Sequence, residues 1–362
     1  MAIWQYIRDH DNGITNFHFE IAADLLDKDE LDLLSTMRPG LVQLEIGVQS
    51  TNEKTLETIR RKTDIEEIRQ ITETINSWHN IHQHLDLIVG LPWEDLKRFK
   101  QSFNDVYSME PEQLQLGFLK ILKGPYMEEL ILECDLLYSA APPYEVLQTK
   151  WLSYGDVLEL KDIEEMTEVH YNSRQFTCTL KELEKEFNTP YEMFSFMAGY
   201  YNKNHLSGIS HSRIARYEIL WKMIQVKLEK SERYETHENH ARRGTEVKPG
   251  ISEKLEKYRD LLMTDLYLRE NVKKRPDFAG DYTLQKDELR YINEEILLKD
   301  ERLAYFGQKN MRKFSHMEQF DHAVNEDFKE TKTILLFDYQ NRDPLTNQAT
   351  VYPITMNLIK NQ

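Results

Sequence analysis

Three segments near the start of the chain share one arrangement. Phe19-Glu20-Ile21, Leu44-Glu45-Ile46 and Leu85-Asp86-Leu87 each set an acid between two apolar residues. Side chains alternate along a strand, so each acid faces away from its apolar neighbours. The second segment continues as Gly47-Val48-Gln49-Ser50 and the third as Ile88-Val89-Gly90-Leu91-Pro92, and a helical pattern follows each. A charge inside a buried parallel strand is costly, roughly 3–5 kcal/mol if its partner is lost. Acids repeated at equivalent strand positions therefore point to a ligand on the face they share.

The first 130 residues alternate strand and helix. Met1–His10 sets Ile3, Trp4 and Ile7 on one helical face, Phe17–Ala23 reads as a strand, and Asp27–Met37 reads as a helix. Leu41–Val48 is the next strand, and Ser50 with Glu53 has the spacing of a capping box that starts a helix. Ile65, Ile68, Ile71 and Ile75 mark a further helix. His84–Val89 and Gln113–Leu122 are strands, with the helical stripe Leu96, Phe99, Phe103 and Val106 between them. Strands joined by helical crossovers form a parallel sheet, which needs helices on both faces or closure into a barrel. In a barrel the acid face could be the lumen, and ligands bind at the carboxyl ends of the strands. Four strands alone leave exposed edges. Further strands are therefore expected ahead of Met1.

Composition changes near residue 131, and Ala141-Pro142-Pro143-Tyr144 marks a boundary between an α/β domain at 1–140 and a mainly helical domain at 141–362. Helical stripes follow at Val157, Leu160 and Ile163, at Ile214, Tyr217, Leu220, Met223 and Ile224, and at Leu255, Tyr258, Leu261 and Leu262. The densely charged stretch Lys227–Lys257 is expected to be an exposed helix end and loop. Thr331–Tyr339 and Ala349–Ile354, around Asn341-Arg342-Asp343-Pro344, predict a terminal β-hairpin.

Charge and cysteine usage narrow the function classes. A net charge of -16 repels phosphate backbones and argues against nucleic-acid binding. No apolar run is long enough for a membrane-spanning helix. Met1–Arg8 lacks the basic start and apolar core of a secretory signal, so the cytoplasm is the expected compartment. Cys134 and Cys178 fit no metal-ligand spacing and are expected as reduced thiols in apolar surroundings. His237 and His240 lack the spacing of a zinc helix and are expected on a solvated face. His82 and His84 share a strand face, as two metal ligands would. With no third ligand in view they are expected to be ordinary strand histidines.

The set Glu20, Gly47-Val48-Gln49-Ser50, Arg61, Asp86 and Gly90-Leu91-Pro92 resembles the middle and later strands of radical S-adenosylmethionine (SAM) enzymes. The closest pattern is that of oxygen-independent coproporphyrinogen oxidases and cobalamin-dependent radical SAM proteins. The resemblance implies a partial (β/α) barrel of radical SAM type, here strands three to six. It places the SAM ribose on Gln49 and Asp86, and the SAM carboxylate on Arg61, with Arg60 one residue away. It sets the SAM amino group on Glu20, puts Ser50 among the cofactor contacts, and brings Gly90-Leu91-Pro92 near the adenine. Where the family often continues Gly-Glu-Thr, this chain has Trp93-Glu94-Asp95. The helices and terminal hairpin resemble the C-terminal domain of unknown function in one cobalamin-binding subfamily. The chemistry suits these roles: a ribose diol wants carboxylate and amide acceptors, and a carboxylate wants a guanidinium fork.

One departure is large. Radical SAM chemistry requires three closely spaced cysteines for a [4Fe-4S] cluster, and no such motif is present. The expectation is therefore a fragment of a cobalamin-dependent radical SAM enzyme that contributes SAM contacts and acts alone without radical chemistry. The cluster, cobalamin and the missing N-terminal barrel strands would belong to the full-length parent. The rival expectation is a non-catalytic partner or scaffold protein that pairs through an exposed barrel edge.

Overall fold

The computed structural model describes residues 1–238, 250–308, 312–322 and 333–354. His240 lies outside the described residues. The chain forms two compact units, Met1–Arg174 with Phe187–Ser207, and Gln175–Glu186 with Gly208–Gln362. The boundary read from composition at residues 140 and 141 falls inside the first unit.

The first unit is built on four parallel strands in the order of the chain: β1 (Phe17–Ile21), β2 (Val42–Gln49), β3 (His82–Val89) and β4 (Gln113–Phe118). The helices α1 (Ala2–Asp9), α2 (Lys28–Ser35), α3 (Glu53–Thr58), α4 (Ile65–Trp78) and α5 (Leu96–Tyr107) precede and connect them. Alternation gives the sheet one apolar face, with Leu44, Ile46, Leu85, Leu87, Leu114 and Leu116 all buried. The helix stripes Leu33 and Leu34, Ile68, Ile71 and Ile75, and Phe99, Phe103 and Val106 are buried as well. Burying each such side chain contributes about 1.5–3 kcal/mol. Aspartates start three of the crossover helices: Asp27 accepts from Glu30 N–H, Asp64 from Glu66 and Glu67 N–H, and Asp95 from Arg98 N–H. Each such cap stabilises its helix by about 1 kcal/mol.

The two sheet edges differ. Beyond β4, the helix α6 (Tyr154–Met166) continues into a π-helical stretch, Thr167–Asn172. The Asn172 side chain accepts from Leu114 N–H at 2.9 Å and donates to Leu114 O at 3.0 Å, so it covers part of that edge. β1 lies at the other end of the sheet, with Trp4 packed edge-on against Phe19 at 4.8 Å. The strand expected to run to Leu122 ends at Phe118. Beyond it the backbone turns to new partners: Ile121 N–H donates to Tyr144 O, and Val146 N–H to Leu119 O. A short antiparallel pair, β5 (Leu137–Tyr138) and β6 (Val146–Gln148), follows.

The second unit holds α7 (Thr177–Leu183), while α8 (Pro190–Lys203) returns to the first. The second unit continues with α9 (Arg213–Glu238), α10 (Ile251–Arg269), α11 (Lys286–Tyr291) and α12 (Ala304–Gly307). Its sheet is antiparallel: β7 (Ser315–Phe320), β8 (Thr333–Arg342) and β9 (Ala349–Ile354). The expected terminal hairpin is β8–β9, and β7 is an added strand. The turn lies slightly later than expected, because the Asp343 carboxylate accepts from Leu345 and Thr346 N–H. A half-buried ion pair joins β7 to the loop after α10: Arg275 donates to the buried Glu318 at 2.8 Å and to Tyr267 Oη at 3.0 Å.

Asp265 fixes α7 to α10. Its carboxylate accepts from Cys178 and Thr179 N–H, both at 2.9 Å, and from the Thr179 hydroxyl at 2.7 Å. It therefore caps α7 from another helix, where no side chain of the neighbouring sequence does so. Burial pushes Asp265 up to about 6, and the hydrogen bonds from Thr179 and Cys178 only partly oppose this. An acid whose folded pKa is raised stabilises the fold most below its unfolded value, and that contribution is lost as pH rises through the folded one. We predict that the second unit weakens between pH 4 and 6.5 by about 3 kcal/mol relative to an Asp265→Asn variant, which lacks the titration. Urea unfolding of both proteins across that range checks this; parallel pH profiles would contradict it.

Candidate functional site

The opposite face of the parallel sheet is polar. Strand register aligns Glu20 with Glu45, Glu45 with His84, and Gly47 with Asp86. His18 and Glu20, Glu45 and Gly47, His84 and Asp86, and Gln113 and Gln115 thus share one face of four adjacent strands. Short contacts tie them together: His18 Nε2 lies 3.0 Å from Glu45 Oε2, and His84 Nε2 lies 3.3 Å from Asp86 Oδ1.

At the carboxyl end of this face the backbone departs from regular pairing. The register of β2 against β3 shifts between Gly47 and Gln49, and Gln49 takes a left-handed conformation at φ 70°. Arg61, just past α3, donates through Nη2 to Gly47 O and through Nε to Thr63 Oγ1 at 3.3 Å. A Cβ at Gly47 would lie 2.6 Å from Gln49 Nε2 and 3.3 Å from an Arg61 nitrogen. Glycine is thus what lets Arg61 and Gln49 close over the strand end.

Asp86 sits beside this closure. Burial pushes its carboxyl up to about 7, helped by the charge of Glu45, a hydrogen bond with Glu45 and the charge of Glu20; Arg61 opposes the rise. Its Oδ1 is buried without a hydrogen-bond partner. Glu20 and Arg61 are therefore each within electrostatic reach of Asp86, with Gln49 next to Arg61. Glu20 is exposed on β1, and Gly90 ends β3 at φ 95°.

Ser50 departs from the expected set. Its hydroxyl donates to Glu94 Oε1 at 2.8 Å, the same oxygen that accepts from Ser102 at 2.6 Å. Both Ser50 and Glu94 are fully buried, and burial pushes the Glu94 carboxyl up. The capping box expected from Ser50 and Glu53 is absent for the same reason. Asn52 takes the cap position of α3 without a side-chain bond.

These contacts stitch together the segments that leave β2 and β3. Thr55 Oγ1 donates to Pro92 O at 2.7 Å, and Asn52 Nδ2 donates to Trp93 O at 2.8 Å. Trp93 stands at φ 64°, a conformation that suits glycine. Its ring is held by Lys54 Nζ at 3.3 Å and by Trp151 at 4.9 Å.

The strand histidines stand in different surroundings. His82 and His84 do not act as a pair. Burial pushes His82 down to about 4, opposed by a hydrogen bond with Gln113. His84 instead joins His18 and Glu45, and the donor atoms of these three lie within 4.8 Å of one another. The sequence holds His18, Glu45 and His84 far apart, and only strand register could have found the group.

Two carboxylates, a guanidinium and an amide gathered at parallel strand ends suit a ligand that carries a carboxylate, an ammonium group and a hydroxyl pair.

Comparison with known proteins adds the following. Residues 133–337 match a family model described as "Protein of unknown function (DUF4080)". Over 110 residues the chain is 30% identical to an uncharacterized protein of Methanocaldococcus jannaschii, covering 30% of this chain and 34% of that one. Over 140 residues it is 26% identical to the oxygen-independent coproporphyrinogen III oxidase of Pseudomonas aeruginosa, covering 39% of this chain and 30% of that one. Among solved structures, coproporphyrinogen III oxidase from Escherichia coli, described as a radical SAM enzyme, aligns with a TM-score of 0.28 and 22% identity, over 32% of this chain and 27% of that one. The chain spans between 20% and 34% of the length of the curated relatives it matches.

The close approach at Gly90 yields a stability prediction. A Cβ there would meet Val146 Cγ1 at 2.7 Å, in a backbone conformation that disfavours any other residue. Gly90→Ala should destabilise the first unit by about 2–3 kcal/mol. Thermal unfolding that matches the wild type would contradict this packing.

Proposed function

This chain belongs to the DUF4080 family, proteins of unknown function, and we propose a radical SAM-related role for the polar strand ends of the first unit. In this reading Asp86 and Gln49 accept from the SAM ribose, Arg61 pairs with its carboxylate, Glu20 takes its ammonium group, and Gly90-Leu91-Pro92 lies by the adenine. The observation that carries the reading is the strand-end closure. Gly47 leaves room for Arg61 and Gln49, next to a buried Asp86 oxygen that lacks a hydrogen-bond partner. His84 Nε2 stands 3.3 Å from that oxygen, and a ribose hydroxyl can add the well-directed hydrogen bond it lacks. The 26% identity to an oxygen-independent coproporphyrinogen III oxidase is in keeping with this choice. Bound at such a site, SAM would yield an adenosyl radical only on receiving one electron from an external reductant, while the residues named here would bind and orient it.

A four-iron cluster does not fit the cysteines of this sequence. Cys134 is buried in the first unit and Cys178 lies in the second, and burial pushes both thiols up, away from the thiolate form that ligates iron. No step through a cluster is assigned to these residues. In this reading the cluster and cobalamin belong to a full-length cytoplasmic parent, of which these 362 residues supply the SAM contacts.

Equilibrium dialysis of labelled SAM against the full chain tests the binding. We expect saturable binding, weakened at least tenfold by Asp86→Asn and by Arg61→Met, and unchanged by Lys299→Met on an exposed helix turn. No saturable binding, or binding that both site variants leave intact, would overturn the reading. Anaerobic reconstitution with iron and sulfide should load no stoichiometric four-iron cluster. A second reading, a non-catalytic partner that pairs through β1, draws on the position of that strand at the sheet edge. Saturable SAM binding would count against it.

A further inference from the structure

We propose that His18, Glu45 and His84 form a binding site for a divalent transition-metal ion, with zinc as the best match to their donors. The three residues come from β1, β2 and β3, whose register sets Glu45 directly beside His84 and one step diagonally from His18. Their donor atoms lie within 4.8 Å of one another, and His18 Nε2 is already 3.0 Å from Glu45 Oε2. Two imidazole nitrogens and one carboxylate oxygen are a donor set that zinc and ferrous iron share. Zinc bonds of about 2.0–2.2 Å are reached from donors gathered within 4.8 Å by small side-chain rotations. His18 is the most exposed of the three and supplies the rotation.

The ligands stand on rigid, adjacent strands rather than on a loop, so binding requires little ordering of the chain. The surroundings favour a cation as well. Asp86 Oδ1, buried and without a hydrogen-bond partner, sits 3.3 Å from His84 Nε2. Glu20 pairs in register with Glu45 on the same face. Three carboxylates thus gather where Arg61 is the basic side chain in electrostatic reach of Asp86. A divalent ion reduces the mutual repulsion of these acids. Three protein ligands leave at least one coordination position open, the arrangement of zinc sites that take up water or a substrate oxygen. The site does not rest on the SAM reading: Gln49 and Arg61 take no part in it, and its test uses metal alone.

The experiment uses the tag-free 362-residue chain, stripped with a chelator and titrated with Zn²⁺ in competition with a chromophoric chelator. Co²⁺ substitution supplies a visible spectrum. We expect one tightly held Zn²⁺ per chain. His18→Ala and Glu45→Gln should each weaken it at least ~100-fold, since even outer-shell losses cost ~10–100-fold, and should abolish the Co²⁺ absorption. His18 is exposed and Glu45→Gln keeps shape, so neither threatens the fold; circular dichroism verifies this. A double variant, His237→Ala with His240→Ala, should bind as the wild type does. Absence of stoichiometric Zn²⁺, equal affinity in His18→Ala and Glu45→Gln, or loss of the ion in the His237/His240 variant would overturn the site.

Discussion

A parallel sheet with one apolar and one polar face is a demanding arrangement, because charged side chains stand in rows on neighbouring strands held in fixed register. Here the rows are set by register: Glu20 beside Glu45, Glu45 beside His84, Gly47 beside Asp86. Like charges cannot all stay ionised and unpaired at such spacing, and the acids answer in different ways. Glu45 takes His18 as a partner, while Asp86 is held up to about 7 by burial and by the acids beside it. The apolar face contributes most of the burial that keeps this polar face in place.

The carboxyl ends of β2 and β3 are where that sheet gains a shaped site. The register shift after Gly47, the left-handed Gln49 and the positive φ of Gly90 all occur within one residue of a strand end. The segments that follow are stitched by Ser50 to Glu94, Thr55 to Pro92 and Asn52 to Trp93. Rigid cross-links of this kind hold Arg61 against Gly47 O and keep Asp86 in reach. The second unit shows the same economy of polar groups by other means. Asp265 caps α7 from α10, and the Arg275–Glu318 pair joins a loop to β7. Removing Arg275 would leave the buried Glu318 carboxylate uncompensated, which makes the pair a constraint on the fold even where its net contribution is small.

The alternation of strand and helix, the apolar helix stripes and the acid within each of the first three strands were all legible in the chain, because they depend on periods of two and 3.6 residues. So were the strand-end positions of Gln49 and Gly90, since a strand end followed by a helix is a local pattern. Ser50 was legible only as polar. Its local partner, Glu53, is three residues away, yet its hydroxyl bonds Glu94, which tertiary folding brings to it. The end of β4 was missed for a similar reason: Ile121 and Val146 find backbone partners that no periodicity announces.

The sequence by itself determined which residues face together along each strand and which helices bury a stripe, because alternation and helical repeat act within one element. Tertiary structure alone decided which strand faces become neighbours. Register brought His18, Glu45 and His84 within 4.8 Å and left His82 out, although His82 and His84 are the pair that the sequence displays. It also turned Trp93 into a left-handed position braced by Lys54 and Trp151. Such choices rest on contacts between residues distant in the chain, whose energies no local pattern encodes.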